Sequence, residues 1–450
     1  MRRFVFVLTL LLGSASLWAQ ELTLDQCLSY CEEGNRDLRN SSLSMVEAKA
    51  RLTEARLEFL PRVSANGMAY YAIDPLFKIT LQDMLGKSDM AIVTAQWMSA
   101  FAEKMELNTS YEAFKGGYGA SVMLMQPLYA GGRIINGNKL ASLGVKAARL
   151  QNDIDVKAVR DTVENKYWMV VALQEKQGIL EETSALLARL EKDLTSALAA
   201  GVVTQEDLLQ VQFKRKEVEV LARQLNGGLS LAKMDLLTEI GYPFSYLDLP
   251  SIHLAGELGQ APALETVLDE DPSMLVTAQS QLLDMQVEAR KLEKRMAVGE
   301  LLPQVAVGGA YGYGALIQSG QPKANGMVFA TVQVPLTDIA KAFVRNRRFD
   351  ARLKMAQNDR EYLNSKLQLL EQKLRLDVTT AWDQIQLREQ AVACAENVLM
   401  HTEARYKAGQ ITASTLAQST VEVSQARNQL IEARITYRKA VNAYRHLFVQ

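Results

Sequence analysis

The chain has 450 residues, 48% of them hydrophobic and 22% charged, with a formal net charge of −1. That mix excludes a disordered polymer, and a charge so close to zero excludes a global field that would gather nucleic acid or an anionic surface. No basic run or aromatic-basic patch restores nucleic-acid binding locally, so function has to be sought in architecture.

Residues 1–19 read as a signal peptide. Arg2 and Arg3 open it, Phe4 to Leu12 form a short apolar core, and a small-residue end at Ala15 to Ala19 suits cleavage after Ala19. The apolar run is shorter than the ~20 residues of a spanning helix. No later segment is long, apolar and charge-free, so the exported chain is expected to cross any membrane with β-strands. Its cysteines, Cys27, Cys31 and Cys394, form no disulfide framework. Cys27 and Cys31 share a helix face and read as small buried side chains rather than a metal or redox pair.

In chain order the first repeat, 20–240, holds a helix at 22–59, strands at 62–71 and 117–127, and a long helical hairpin at 133–240 with its tip at 201–204. A linker follows at 241–262. The second repeat, 263–447, holds a helix at 263–300, strands at 303–313 and 326–335, and a hairpin at 338–447 with its tip at 409–412. The duplication shows in ordered matches: Leu60-Pro61-Arg62-Val63 with Leu302-Pro303-Gln304-Val305, Pro127-Leu128 with Pro335-Leu336, and Ala200-Gly201 with Ala408-Gly409. The last two pairs have the same separation, since 201 − 127 and 409 − 335 are both 74.

Proline placement gives the same division. Of ten prolines, none lies between Pro127 and Pro243 and none after Pro335. An interior proline costs a helix about 3 kcal/mol, so both tracts permit unbroken helix. Within them Leu363, Leu367, Leu370, Leu374, Val378, Ala381 and Ile385 recur every three or four residues, as do Leu143, Ala147, Leu150 and Ile154. A helix from Arg133 to Ala200 would be about 100 Å long, which implies an elongated object. Each tract is broken once, by Ala-Gly. The glycine suits a left-handed C-terminal residue, and Thr204 and Thr412 suit N-caps, the former with Asp207 three residues on. Asn226-Gly227-Gly228 is a further expected interruption of the first returning arm.

The strands alternate an apolar face with a small or polar one, and at about ten residues they match tilted membrane strands. Tyr71, Tyr118, Tyr311 and Tyr313 fit part of an interfacial girdle. Four strands cannot close a barrel, and open edges in lipid leave backbone groups unsatisfied, so closure calls for several copies. Residues 73–115 form an insertion with no counterpart in the second repeat. Its Ser88 to Met105 stretch is helix-compatible, and the insertion reads as an extracellular loop.

This plan, with the opening Leu22-Thr23-Leu24-Asp25, Asn35-Arg36-Asp37-Leu38, Gln126-Pro127-Leu128 and the two glycine tips, resembles the TolC outer-membrane efflux family along the whole mature chain. The resemblance implies a mainly α fold with transmembrane β: a homotrimer whose four strands per chain share a 12-stranded β-barrel, set in outer-membrane lipid above a long periplasmic α-barrel. It also implies an exit duct of a tripartite efflux or type I secretion system, partnered by a periplasmic adaptor (a membrane fusion protein) and an inner-membrane pump. Adaptor docking falls on the tips, Gly201, Val202, Val203, Thr204, Gly409, Gln410, Ile411 and Thr412, with Val202, Val203 and Ile411 as exposed apolar surface. Pore-gate candidates are Glu206, Asp207, Tyr406, Thr415 and Gln418. Tyr406 and Asp207 match the family's gate-holding tyrosine and aspartate, whereas Ile411 stands where family members carry arginine, and Thr415 and Gln418 where they carry aspartates.

His253, His401 and His446 are scattered, and no metalloprotease, phosphate-loop or nucleophile motif occurs, so neither a cofactor nor catalysis is expected. The alternative reading is a periplasmic coiled-coil adaptor or scaffold without channel activity.

Overall fold

The computed structural model describes residues 20–447 except 75–76, 81–82, 85–88, 106–109, 114, 260–261, 269–277, 317–320 and 336–337. The expected signal peptide at 1–19 lies outside the described residues. The elements run β1 (Gln20–Leu22), α1 (Leu24–Gly34), α2 (Arg36–Leu57), β2 (Arg62–Tyr71), β3 (Phe77–Thr80), α3 (Asp89–Lys104), β4 (Ser110–Ala113), β5 (Gly116–Ala130), α4 (Arg133–Ala199) and α5 (Gln205–Glu239). A 3-10 turn (Tyr246–Ser251), β6 (Ile252–Leu254), α6 (Leu264–Leu268), α7 (Ala278–Gly299), β7 (Gln304–Leu316), β8 (Lys323–Gln333), α8 (Asp338–Lys407) and α9 (Ala413–Leu447) complete the chain.

The described residues divide into two compact units that cut across both repeats. One is drawn from Met1–Glu47, Lys146–Met285 and Asn358–Gln450, the other from Ala48–Val145 and Gln286–Gln357.

The second unit carries one antiparallel four-stranded sheet in the order β2-β5-β7-β8, so β2 and β8 are free edges. Three of its strands differ at their ends from the expected ranges: 116–130 rather than 117–127, 304–316 rather than 303–313, and 323–333 rather than 326–335. Pro127 lies inside β5 rather than ending it, because the register shift between Pro127 and Tyr129 absorbs its missing donor. Register sorts the side chains. Val63, Tyr71, Tyr118, Val122, Leu124, Tyr311, Tyr313, Val328 and Val332 share one face, and all are exposed. The opposite face mixes Ser64, Asn66, Gly119, Ser121, Gly312, Gly314 and Asn325 with Met68, Tyr70, Met123, Met327 and Phe329, and a concave trough of about 680 Å³ opens over it.

The first unit is mainly helical and takes 146–199 of α4 and 358–407 of α8. α4, at 67 residues, is a single helix about 100 Å long, and α8 has 70 residues. Its largest core gathers Cys27, Cys31, Val163, Tyr167, Val170, Val171, Leu236, Leu237 and Ile240. Both cysteines are free and buried, and burial pushes each thiol up to about 11.

Four local departures have physical reasons. The helix expected at 22–59 is two helices, because Asn35 adopts an extended ψ of 130°. Its side-chain oxygen accepts from the amides of Asp37 (2.8 Å) and Leu38 (3.1 Å), while its amide donates to the Glu239 carbonyl (2.9 Å). Residues 20–22 are not helical but form β1, which pairs in parallel with β6, so the linker holds a strand. Gly227 and Gly228 do not interrupt α5: each glycine costs about 1 kcal/mol, and flanking Leu225 and Leu229 are anchored in packed clusters. Of the helix expected at 263–300, residues 269–277 lie outside the described ones, and α6 and α7 flank them.

One backbone crossing is sterically exact. Gly241 ends α5 at φ +68°, and a Cβ there would stand 2.7 Å from the Gly34 carbonyl carbon. Gly201, also left-handed, has open space around it. Gly201→Ala is therefore expected to cost about 1 kcal/mol from φ alone, and Gly241→Ala about 3 kcal/mol. Thermal unfolding of the detergent-solubilised protein, followed by circular dichroism, should give the lower midpoint for Gly241→Ala.

Candidate functional site: the paired hairpin tips

Both tips are built by one device. At the first, the Gly201 amide donates to the Leu198 carbonyl (2.9 Å) and the Val202 amide to Ala197 (3.0 Å). At the second, Gly409 donates to Tyr406 (2.9 Å) and Gln410 to Arg405 (3.0 Å). Each pair closes a helix C-terminus around a left-handed glycine, with φ +74° at Gly201 and +68° at Gly409. The chain then restarts. Thr204 caps α5, its hydroxyl accepting from the Asp207 amide (3.2 Å) while the Asp207 carboxylate accepts from the Thr204 hydroxyl (2.7 Å) and amide (3.3 Å). At the second tip, where no acid stands three residues on, the Thr412 hydroxyl meets those of Ser414 (2.9 Å) and Thr415 (3.0 Å).

The tips share a core. Leu187, Leu190, Leu194, Leu208 and Val211 of the first hairpin pack with Ala413 and Ala417 of the second, and Val203 and Tyr406 lie against them. This corrects one sequence expectation. Val203 is half-buried in that core rather than free surface, and Ile411 is half-buried too, so Val202, at 76% exposed, is the apolar residue that projects. Gly201, Thr204, Gly409, Gln410 and Thr412 are exposed. Beside them a groove of about 370 Å³ is lined by Glu206, Leu209, Gln210, Phe213, Lys214 and Ser414, with Leu209 and Phe213 more than half exposed.

Among the gate candidates, Tyr406 and Asp207 are brought together electrostatically. Burial raises the Tyr406 phenol above its ordinary value, and the charges of Asp193 and Asp207 raise it further, so the hydroxyl is neutral at physiological pH. No hydrogen bond joins the two among the described residues, since the Asp207 carboxylate is engaged by Thr204. Glu206 accepts from Gln210 (3.2 Å), and Gln418 donates to Glu422 (3.0 Å). Thr415 and Gln418 are exposed.

The sequence reading missed the ionic ties between helices. Glu191 accepts from Arg215 (2.5 Å) and Gln212 (3.0 Å) across the first hairpin. Arg427 pairs with Glu396 at 2.7 Å and approaches Glu182 at 3.7 Å, and Lys176 pairs with Glu432 at 2.7 Å, so both basic groups bridge the two hairpins. Long-range pairing of this kind leaves no local spacing to find. Among the described residues no helix is long and apolar enough to cross a membrane, and no group of three or more His, Cys, Asp or Glu is placed to hold a metal.

A family model described as outer membrane efflux protein matches residues 265–448. The match covers most of the second repeat and none of the first. No curated relative matches by sequence. By structure, the chain shares its fold with solved outer membrane channels over nearly its whole length. The VceC outer membrane protein of Vibrio cholerae is 15% identical with a TM-score of 0.73, over 94% of this chain and 95% of that one. The CmeC outer membrane channel of Campylobacter jejuni is 12% identical with a TM-score of 0.73, over 94% and 85%. The open state of the MtrE outer membrane channel of Neisseria gonorrhoeae is 14% identical with a TM-score of 0.69, over 96% and 92%.

The Arg215 guanidinium holds the Glu191 carboxyl below its ordinary value. A carboxyl depressed in the folded state stabilises it above the unfolded pKa of about 4.3, and that contribution is lost as pH falls through the folded value. Melting midpoints across pH 3 to 6 should therefore fall more steeply in the wild type than in Glu191→Gln, which has no such proton to gain.

Proposed function

We propose that this protein is the outer-membrane exit duct of a tripartite export system, a channel rather than an enzyme. The observation that carries the reading is the four-stranded sheet with one apolar, tyrosine-bearing face, an opposite face where small and polar residues mix with methionines, and two free edges. In lipid every unpaired backbone donor or acceptor costs several kcal/mol, so such a sheet is stable there only when its edges meet those of other copies. Three copies give twelve strands, with β2 of one chain beside β8 of the next. The apolar face then meets lipid, and the face of Ser64, Asn66, Ser121 and Asn325 lines the lumen.

The tips meet the periplasmic adaptor. Val202 and the groove holding Leu209 and Phe213 present apolar surface beside Glu206 and Lys214, suited to the tip of a partner helical hairpin. The gate rests on Tyr406 in the shared tip core and on the inter-hairpin pairs of Arg427 and Lys176, because Ile411, Thr415 and Gln418 supply none of the charge found in family members. Exposed pairs of this kind are worth at most about 1 kcal/mol each, so an engaged adaptor could break them readily. The pump stands in the inner membrane and selects the substrate.

Four measurements test this. The protein should fractionate with the outer membrane as a trimer that resists detergent until heated, and should conduct ions in planar bilayers; a soluble monomer would overturn the reading. Val202→Asp should lower photocrosslinking of the tips to the adaptor at least about tenfold, the equivalent of about 1.4 kcal/mol, with trimers intact. Val203→Asp should also loosen the tip core and lower the melting midpoint.

A further inference from the structure

The insertion between β2 and β5 holds a helix whose surface does not suit water. From Met90 to Ala102, α3 has no charged residue. One side is half-buried or buried through Ile92, Ala95, Ser99 and Ala102. Another exposes Met90 (81%), Val93 (64%), Trp97 (69%) and Phe101 (55%), spaced as one helical stripe, with Met98 and Met105 beside it. Trp97 and Phe101 stack at 5.9 Å between ring centroids. The hydroxyls of Thr94 and Ser99 bond to the helix's own carbonyls, of Met90 and Gln96, which removes two of the few polar groups from the surface. A helix apolar on both sides is normally covered on both.

We propose that the exposed stripe of α3 is an interface between copies of this chain, packing against the same helix of neighbouring protomers at the outer end of the barrel. This rests on the trimeric-channel reading above and adds a contact to it. Connectivity points to a second copy. The insertion leaves from β2, the free edge, and the Ala72 amide continues the ladder by donating to the Lys115 carbonyl (2.8 Å). The root of the insertion therefore stands at the seam where β2 meets the next copy's β8. Charge argues against the bilayer surface as occupant, because a helix lying there carries a strongly charged polar face, and α3 has charges only at its ends, Asp89, Glu103 and Lys104. Length agrees. Twelve strands spaced ~4.8 Å and tilted ~40° make a barrel of radius about 12 Å, and 16 residues of helix extend about 24 Å. Helices rooted on such a rim can meet over its mouth.

Trp97→Cys and, separately, Phe101→Cys, each with Cys394→Ser, would be oxidised as purified trimers in vesicles. Disulfide-linked dimers on denaturing gels, from both positions, are expected. In the unmodified protein, comparison with Trp97→Phe isolates the Trp97 emission, which should resist both acrylamide and brominated lipid. Trimers without dimers, with Trp97 quenched by brominated lipid, would place the stripe in the bilayer and overturn the proposal. Trimers without dimers, with quenching by acrylamide alone, would leave it in water and overturn it equally. An absence of trimers in the unmodified protein would defeat the channel reading itself.

Discussion

Everything in this fold follows from the unpaired edges of a four-stranded sheet. Water can satisfy the outer amides and carbonyls of β2 and β8; hydrocarbon cannot. The sheet's apolar face, with Tyr71, Tyr118, Tyr311 and Tyr313 all exposed on it, is unsuited to water, and its edges are unsuited to isolation in lipid. Only assembly resolves both conflicts. In chain order each strand pair leads into a helical hairpin, β2 and β5 into α4–α5 and β7 and β8 into α8–α9.

The two repeats solve the turn at the far end of the hairpin identically in backbone and differently in charge. A left-handed glycine and two backbone bonds reverse each helix, and a threonine restarts it. At the first tip Asp207 completes the cap, while at the second only hydroxyls gather around Thr412. The capping acid at this end therefore comes from the first repeat alone. Tyr406, contributed by the second, lies in the apolar core that both tips share, where the charges of Asp193 and Asp207 reach it.

Much of the architecture was legible because glycine and proline punctuate it. Two proline-free tracts, each broken by one Ala-Gly, read directly as α4–α5 and α8–α9, and two-residue alternation marked the sheet faces. What escaped the sequence lacked a local signal. The pairing of Gln20–Leu22 with Ile252–Leu254 joins segments far apart in the chain, and the break at Asn35 depends on a bond to Glu239. Gly227 and Gly228 look like a stop until their packed neighbours are seen. Val203 looks like surface until the shared tip core forms around it. At Gly227 and Gly228 tertiary contact outweighed a local preference worth about 1 kcal/mol each.

The helices repeat the argument of the strands. On α8, Met355, Tyr362, Leu369 and Leu376 stand seven residues apart and are exposed at 56%, 61%, 60% and 64%. A straight helix of 3.6 residues per turn would rotate such a stripe by ~20° per heptad, so a stripe kept over three heptads suits a left-handed supercoil against a partner helix. α2 shows the same unmet need at Leu43, Val46 and Leu57. Among the described residues these faces are left exposed, while the opposite face of α8 is buried through Val378, Ala381 and Ile385. Strands that need another edge and helices that need another seam call for the same neighbour, a second copy of the chain.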